Sequence, residues 1–261
     1  MKKKHFIAML LVFIGLAALS FTLATGVTLR LNPKQSQTYT ASSKISAMTM
    51  IEMQGQSMSM SQSFEIRQSF NAKKVTVAQS DFDTQIEAIK MTMSQMGMKL
   101  EYDSEHPEKT SPMLASQTKE LEKVLNNPVA VTYDAMGHLI GDSVDFEMNQ
   151  MSNIIIELPE KEVTVGSKWS SKKSQTVSDT EIEVNMEYTV TAISKKSVDV
   201  SFTGNADSKE VTGTYNGTAS INPQTGLVMN STTKSNVSMT LNDQGMNLPI
   251  TVVGTTTIEV K

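Results

Sequence analysis

The hydrophobic pattern divides the chain into an apolar head, two similar strand-rich stretches and two amphipathic segments between them. The strand-rich stretches share an order of features. The first runs Phe64-Glu65, Lys73-Lys74 and Val75-Thr76-Val77; the second runs Met186-Glu187, Lys195-Lys196 and Val198-Asp199-Val200. Each reads as a strand, a tight polar turn carrying the lysines and a returning strand. Further along, Tyr133-Asp134-Ala135-Met136-Gly137-His138-Leu139-Ile140 is answered by Ile221-Asn222-Pro223-Gln224-Thr225-Gly226-Leu227-Val228. Asp or Asn opens each turn, and Gly supplies the positive φ that closes it. A polar stretch ending in an aromatic precedes each copy, at Tyr39 and at Trp169. The pattern predicts an internal duplication, set against chance recurrence of common β-turns.

Two segments between the copies have helical spacing. Ser111 and Pro112 suit a helix start, Leu114, Leu121 and Leu125 share a face, and Asn126, Asn127 and Pro128 stop it. Val144, Met148, Met151 and Ile155 give a second stripe over residues 144–157, capped by Asp142 or Ser143 and ended by Pro159. The expected fold is therefore α+β and mostly antiparallel β, with two duplicated curved sheet halves and two amphipathic helices between them. The expected divisions are a leader over 1–25, a first half over 26–158 and a second half over 159–261.

The apolar head changes the picture most. Lys2, Lys3 and Lys4 precede an apolar run over residues 6–19, and Ala18 with Ser20, or Thr22 with Ala24, offer small residues at cleavage spacing. This is the layout of a secretory signal peptide and predicts an extracytoplasmic protein, periplasmic or secreted. The run is nearly long enough to span a bilayer, so an uncleaved N-terminal anchor is the alternative. With no cysteine in the chain, a lipoprotein anchor, disulfides, thiolate nucleophiles and thiolate metal sites are all excluded. Loss of the three leader lysines takes the formal net charge from −4 to −7. That acidity argues against nucleic acid and anionic membrane surfaces as partners. Abundant Thr and Val favour strands over helices.

One segment carries a family likeness. Leu158-Pro159-Glu160-Lys161-Glu162-Val163-Thr164-Val165-Gly166-Ser167-Lys168-Trp169 resembles the central signature of an uncharacterised family of bacterial exported proteins, a domain of unknown function. Leu29-Arg30-Leu31-Asn32 and Glu101-Tyr102-Asp103-Ser104 resemble it too. The resemblance takes in nearly the whole mature chain. It implies a two-part β-rich fold and an envelope location, and it brings no activity and no catalytic residue. Read physically, Pro159 ends a helix, Val163 and Val165 alternate on a strand, and Gly166 turns the chain. Trp169, the single tryptophan, is expected to plug a core or sheet edge in preference to serving as a ligand platform.

Methionine placement supplies the candidate site. Met48 and Met50, Met58 and Met60, Met91 and Met93, and Met96 and Met98 are four Met-x-Met pairs. In a strand, residues two apart point the same way. Gln54-Gly55, Gln95-Met96-Gly97 and 242–246 resemble hairpin tips. Three readings compete: ordinary core filling, a deformable apolar groove for a lipid-like ligand, and a soft-metal Cu(I) site. The groove would be lined by Met48, Met50, Met58, Met60, Met91 and Met93. The copper alternative would use Met96, Met98 and His106.

Enzyme signatures are missing. No His-x-x-x-His spacing, phosphate loop or dinucleotide fingerprint occurs. Gly141-Asp142-Ser143 suits a helix cap better than a nucleophile. Glu101, Asp103, Glu105 and Glu108 around His106 lack calcium-loop spacing and read as a solvated loop. The expected function is non-enzymatic and cofactor-free: an envelope protein that binds a hydrophobic small molecule or lipid. The alternative is an interaction or structural module that pairs its sheet edges with an envelope protein partner.

Overall fold

Period-two burial runs along almost every strand. On the second, Ile66, Gln68, Phe70 and Ala72 are buried while Arg67, Ser69 and Asn71 are only partly covered. The computed structural model describes residues 26–53, 56–95, 97–141, 154–177, 180–208, 211–243 and 246–261. The strands are β1 (Thr38–Met53), β2 (Gln56–Val75), β3 (Gln79–Gln95), β4 (Met98–Asp103), β5 (Val129–Asp134) and β6 (Leu139–Ile140). They continue with β7 (Lys168–Val177), β8 (Thr180–Ile193), β9 (Val198–Asp207), β10 (Val211–Ile221), β11 (Val228–Asp243) and β12 (Met246–Val260). All twelve form one sheet in the order β6-β5-β3-β2-β1-β12-β11-β10-β9-β8-β7, with β4 also on β3.

This overturns the α+β expectation of two sheet halves with helices between them. The fold is nearly all antiparallel β in a single open sheet. The halves are continuous because β1 pairs with β12 from Ala41 opposite Val260 to Ile51 opposite Ile250. Among the described residues the one α-helix is α1 (Ala115–Val124), in an excursion between β4 and β5 inside the first half. Ser111 does not cap it by side chain; its hydroxyl accepts from the Glu101 N–H at 3.0 Å. Most of the second expected helix falls on 142–153, outside the described residues. Its described end, 154–158, is not helical: the Val228 N–H donates to the Ile154 carbonyl and the Leu158 N–H to that of Met136. An apolar run of this length does not distinguish a buried strap from a helix.

The sheet is strongly curled at one end. The Leu31 N–H donates to the Ala135 carbonyl beyond β5, and the neighbouring Asn32 N–H to the Thr225 carbonyl beyond β10. Six strand spacings of about 4.8 Å separate β5 from β10 along the sheet, roughly 29 Å if it were flat. Adjacent residues of one segment reach both, so the sheet must bend round that segment. Register shifts near Arg67, Ala72, Val190 and Ser220 place bulges toward this end, where they add bend and twist. The plug consists of Leu29, Leu31, Ile154, Ile155, Leu158 and Val163, all buried against Phe70, Phe82, Tyr133, Val200 and Ile221. Arg30 fastens its two segments together, donating to the carbonyls of Pro159 at 2.9 Å and Glu160 at 2.6 Å.

The hairpin turns partly follow expectation. Asp134 Oδ1 accepts from the N–H groups of Met136 and His138, and Asn222 Oδ1 from those of Gln224 and Thr225. The lysine turn forms at 194–197, where Ser194 Oγ accepts from the Ser197 N–H. In the first half, Lys73 and Lys74 stay within β2. The turn comes at 76–79, with Thr76 Oγ1 accepting from the Gln79 N–H. Val75-Thr76-Val77 is therefore not a returning strand.

Candidate functional site: the concave face

Strand pairing assigns every side chain to one of two faces. Tyr39, Ala41, Ser43, Ile45, Ala47, Thr49 and Ile51 of β1 lie opposite Phe70, Gln68, Ile66, Phe64, Gln62, Met60 and Met58 of β2. This face carries all three apolar clusters. One surrounds the plug, one joins Ile66, Ile86, Ile89, Met91 and Tyr102 to Leu114, and one joins Ile182, Ala206 and Val211. It is the concave face. The other face bears Ser42, Lys44, Ser46, Ser61, Ser63, Glu65 and Arg67.

Burial on the concave face falls away from the plug along β1, β2, β11 and β12, whereas Ile182, Ala206 and Val211 stay buried at the tip ends of β8 to β10. Ala41, Phe70, Val200 and Ile221 are buried. Toward the hairpin tips Ile51, Met58, Met60, Met93, Val237, Met239, Ile250 and Val252 are only half-buried. These eight apolar side chains line the open end. Across the middle, the pairing sets Gln62, Ala47, Gly254, Ser235 and Tyr215 in one row. Ala47, Gly254 and Ser235 make three adjacent small residues there. Burial pushes the Tyr215 hydroxyl above its ordinary pKa, so it stays a neutral donor over the working range.

The six methionines expected to line one groove are divided. Met58, Met60, Met91 and Met93 share the concave face, with Met91 buried. Met48 and Met50 point to the opposite face, where Met48 lies beside Val253. For copper, Met98 opens β4 whereas His106 follows its far end, about 17 Å away along the strand. Met96 is outside the described residues. His106 instead lines an outer cleft of about 610 Å³, with its Nδ1 3.4 Å from Glu108. No group of three His, Cys, Asp or Glu suited to a metal occurs among the described residues.

The outer cleft is a ladder of alternating charge. Lys44 stands opposite Glu65, Glu65 opposite Lys90, and Lys90 opposite Asp103. Arg67 bridges Glu87 at 3.2 Å and Glu105 at 2.8 Å. The Arg67 hydrogen bond holds the Glu105 carboxyl below its usual range. These exposed pairs fix register more than they add stability.

Trp169 takes the structural role expected of it. Its ring stacks on Tyr188 at 5.0 Å and 13°, and its Nε1 donates to the Glu157 carbonyl at 2.9 Å. Tyr188 meets Phe202, whose ring lies over Gly217. A Cβ at Gly217 would fall 2.6 Å from that ring. Sequence reasoning missed this glycine, and its place within a strand was the available signal.

The model of a family of unknown function, DUF6263, matches residues 142–228. The likeness to an uncharacterised family therefore holds over the strap, Trp169 and β7 to β10, a shorter span than the sequence motifs implied. No curated protein matches. Among solved structures, one described as lipid–protein interactions in lipovitellin aligns with 87% of this chain at 9% identity and a TM-score of 0.52. The chain spans a quarter of that protein's length, and the likeness is one of fold. An outer membrane channel from Pseudomonas putida F1 aligns with 88% of this chain and 98% of its own, at 7% identity and a TM-score of 0.28. The translocator domain of an autotransporter from Neisseria meningitidis gives 87%, 90%, 8% and 0.23. Among the described residues, no helix is long and apolar enough to cross a membrane.

Proposed function

We propose that this chain is a non-enzymatic extracytoplasmic carrier that holds an apolar, lipid-like ligand against its concave face. The half-buried apolar lining of the open end carries this reading. If a ligand completed the burial of those eight side chains at about 1 kcal/mol each, the gross gain would be about 8 kcal/mol, and the ligand's own apolar surface, buried at the same time, would add to it against the ordering costs of association. Thioethers among them can repack around chains of different shape. The leader at 1–25 supports an extracytoplasmic location. A lipid-associated protein with a similarly arranged sheet supports the ligand class at the level of analogy.

Pairing through the sheet edges has less support. Edge strand β7 carries Lys168, Lys172 and Lys173, and charged edges discourage strand addition. On the opposite side the edges are β6, two residues long, and β4, which carries Lys99, Glu101 and Asp103.

Native mass spectrometry of the protein purified from the cell envelope without detergent tests the proposal. A bound species in the lipid mass range is the expected result. A bare chain that also fails to take up added fatty acid or phospholipid overturns it.

A further inference from the structure

Alternation along the strands sorts charge by face. The concave positions are the odd residues 39–51 of β1 and the even residues 58–70 of β2 and 250–260 of β12. They continue with odd residues 231–239 of β11 and 211–221 of β10, then even residues 198–206 of β9 and 182–190 of β8. None of these positions holds a charged residue. On the same strands Lys44, Glu65, Arg67, Glu187, Lys234 and Glu259 all stand on the outer face.

Within the uncharged face lies a polar waist. Toward the tips, Val211, Met239, Ile250, Ile51 and Met58 follow one another across five strands as an unbroken apolar row. Two to six residues nearer the plug, about 7–20 Å along the strands, stand Tyr215, Thr233, Ser235, Thr256, Thr49 and Gln62. All six are half-buried. Among the described residues the Tyr215 hydroxyl has no hydrogen-bond partner. The Gln62 amide has only the sulfur of Met60, 3.5 Å from its Nε2, which is a weak acceptor.

We infer that the concave face takes an uncharged acyl lipid of the acylglycerol type, its ester and hydroxyl groups at the waist and its chains along the apolar row. The inference rests on the concave-face reading and adds the class of lipid. A carboxylate or phosphate at the waist would lose its water with no cation to meet it, which is strongly unfavourable. Held instead in water beyond the tip row, a charged headgroup would leave the waist covered by hydrocarbon, with its donors and acceptors unpaired. A pure hydrocarbon has the same defect. Acylglycerol oxygens match the waist in kind: an ester carbonyl accepts from the Tyr215 hydroxyl, and a free hydroxyl donates to Gln62 Oε1.

The test is native mass spectrometry of the envelope-purified protein incubated with equimolar dioleoylglycerol, oleate and dioleoylphosphatidylglycerol, which share one acyl chain. Dioleoylglycerol is expected to be retained about ten-fold or more over either anionic lipid. Tyr215→Phe keeps the ring and removes the hydroxyl, and is expected to lower dioleoylglycerol retention by about three-fold while leaving oleate unchanged. Gln62→Arg places a guanidinium at the waist and is expected to reverse the preference, raising oleate retention by about ten-fold. Far-UV circular dichroism confirms that both variants are folded, and Tyr215→Phe carries the test by itself if Gln62→Arg is not. An anionic lipid retained as well as dioleoylglycerol would overturn the inference and leave the concave-face reading standing. Dioleoylglycerol retention unaltered by Tyr215→Phe, or a folded Gln62→Arg protein with no gain in oleate, would also overturn it. Uptake of none of the three lipids would remove the concave-face reading and this inference with it.

Discussion

Met50 and Met60 sit on paired strands and face opposite sides of the sheet: Met50 lies opposite Ser59, and Met60 opposite Thr49. Met60 joins the concave lining, and Met50 lies on the outer face. Replacing Met60 with Asp puts a charge among apolar side chains and is expected to cut ligand retention by about ten-fold or more. Met50→Asp should leave retention within about two-fold of wild type, since an exposed substitution changes little. Native mass spectrometry of the two variants checks this. Equal losses in both would remove the concave face as the binding surface.

Gly137 and Gly226 close the two similar turns with φ of 83° and 71°. A Cβ at Gly137 would lie 2.5 Å from the Ile156 carbonyl oxygen, and at Gly226 2.4 Å from that of Arg30. Each Ala substitution should cost about 2 kcal/mol or more, combining left-handed strain with a backbone clash. Gly141, at φ 88° and with no atom of the described residues within 4 Å of an added Cβ, should pay only the strain of about 1–2 kcal/mol. Urea midpoints of the three alanine variants provide the comparison, and equal shifts would contradict the clash.

Trp169 reports on the plugged end alone. Trp169→Phe keeps a ring on Tyr188 but removes the bond to the Glu157 carbonyl, and should cost about 1 kcal/mol. Trp169→Ala should cost about 3–5 kcal/mol. Adding ligand at the open end should leave the tryptophan emission maximum unchanged. A large emission shift on binding would place the ligand at the plug.

Tyr133 is buried in the main cluster, and its hydroxyl is pushed up from 10.0 to about 12 by burial. The unfolded chain ionises first as pH rises, so stability from burying the neutral phenol is full below pH 10. It declines between 10 and about 12, by roughly 2–3 kcal/mol in all. Burial raises the Tyr188 hydroxyl in the same direction. Denaturant midpoints should therefore fall steeply above pH 10, and Tyr133→Phe should flatten that fall. An unchanged slope in the variant would remove Tyr133 as its source.

Local signals were legible in the sequence; long-range register was not. The Asp134 and Asn222 turns, the role of Trp169 and the same-face geometry of each Met-x-Met pair follow from spacing alone. The faces of Met48 and Met58 do not. Met48, Met50, Met58 and Met60, the two Met-x-Met pairs of the first hairpin, all have even numbers, and Met53 pairs with Gln56 across its tip, so every even residue meets an odd one. The two pairs therefore part to opposite faces, a consequence of turn length that composition cannot reveal. The strap at 154–158 was misread because Ile154 and Ile155 are both buried, having partners on every side, and a continuous apolar run carries no period to separate the alternatives.

The pairing of β1 with β12 sets the order in which the chain can fold. During synthesis β1 and β2 appear early, yet the other long edge of β1 stays open until β12 arrives with Thr40 and Lys261 exchanging main-chain bonds. Contacts so distant along the chain form slowly, and in the interval a long, methionine-rich strand edge is available to the wrong neighbour. The features that suit the finished molecule to apolar ligands therefore make its folding intermediate adhesive.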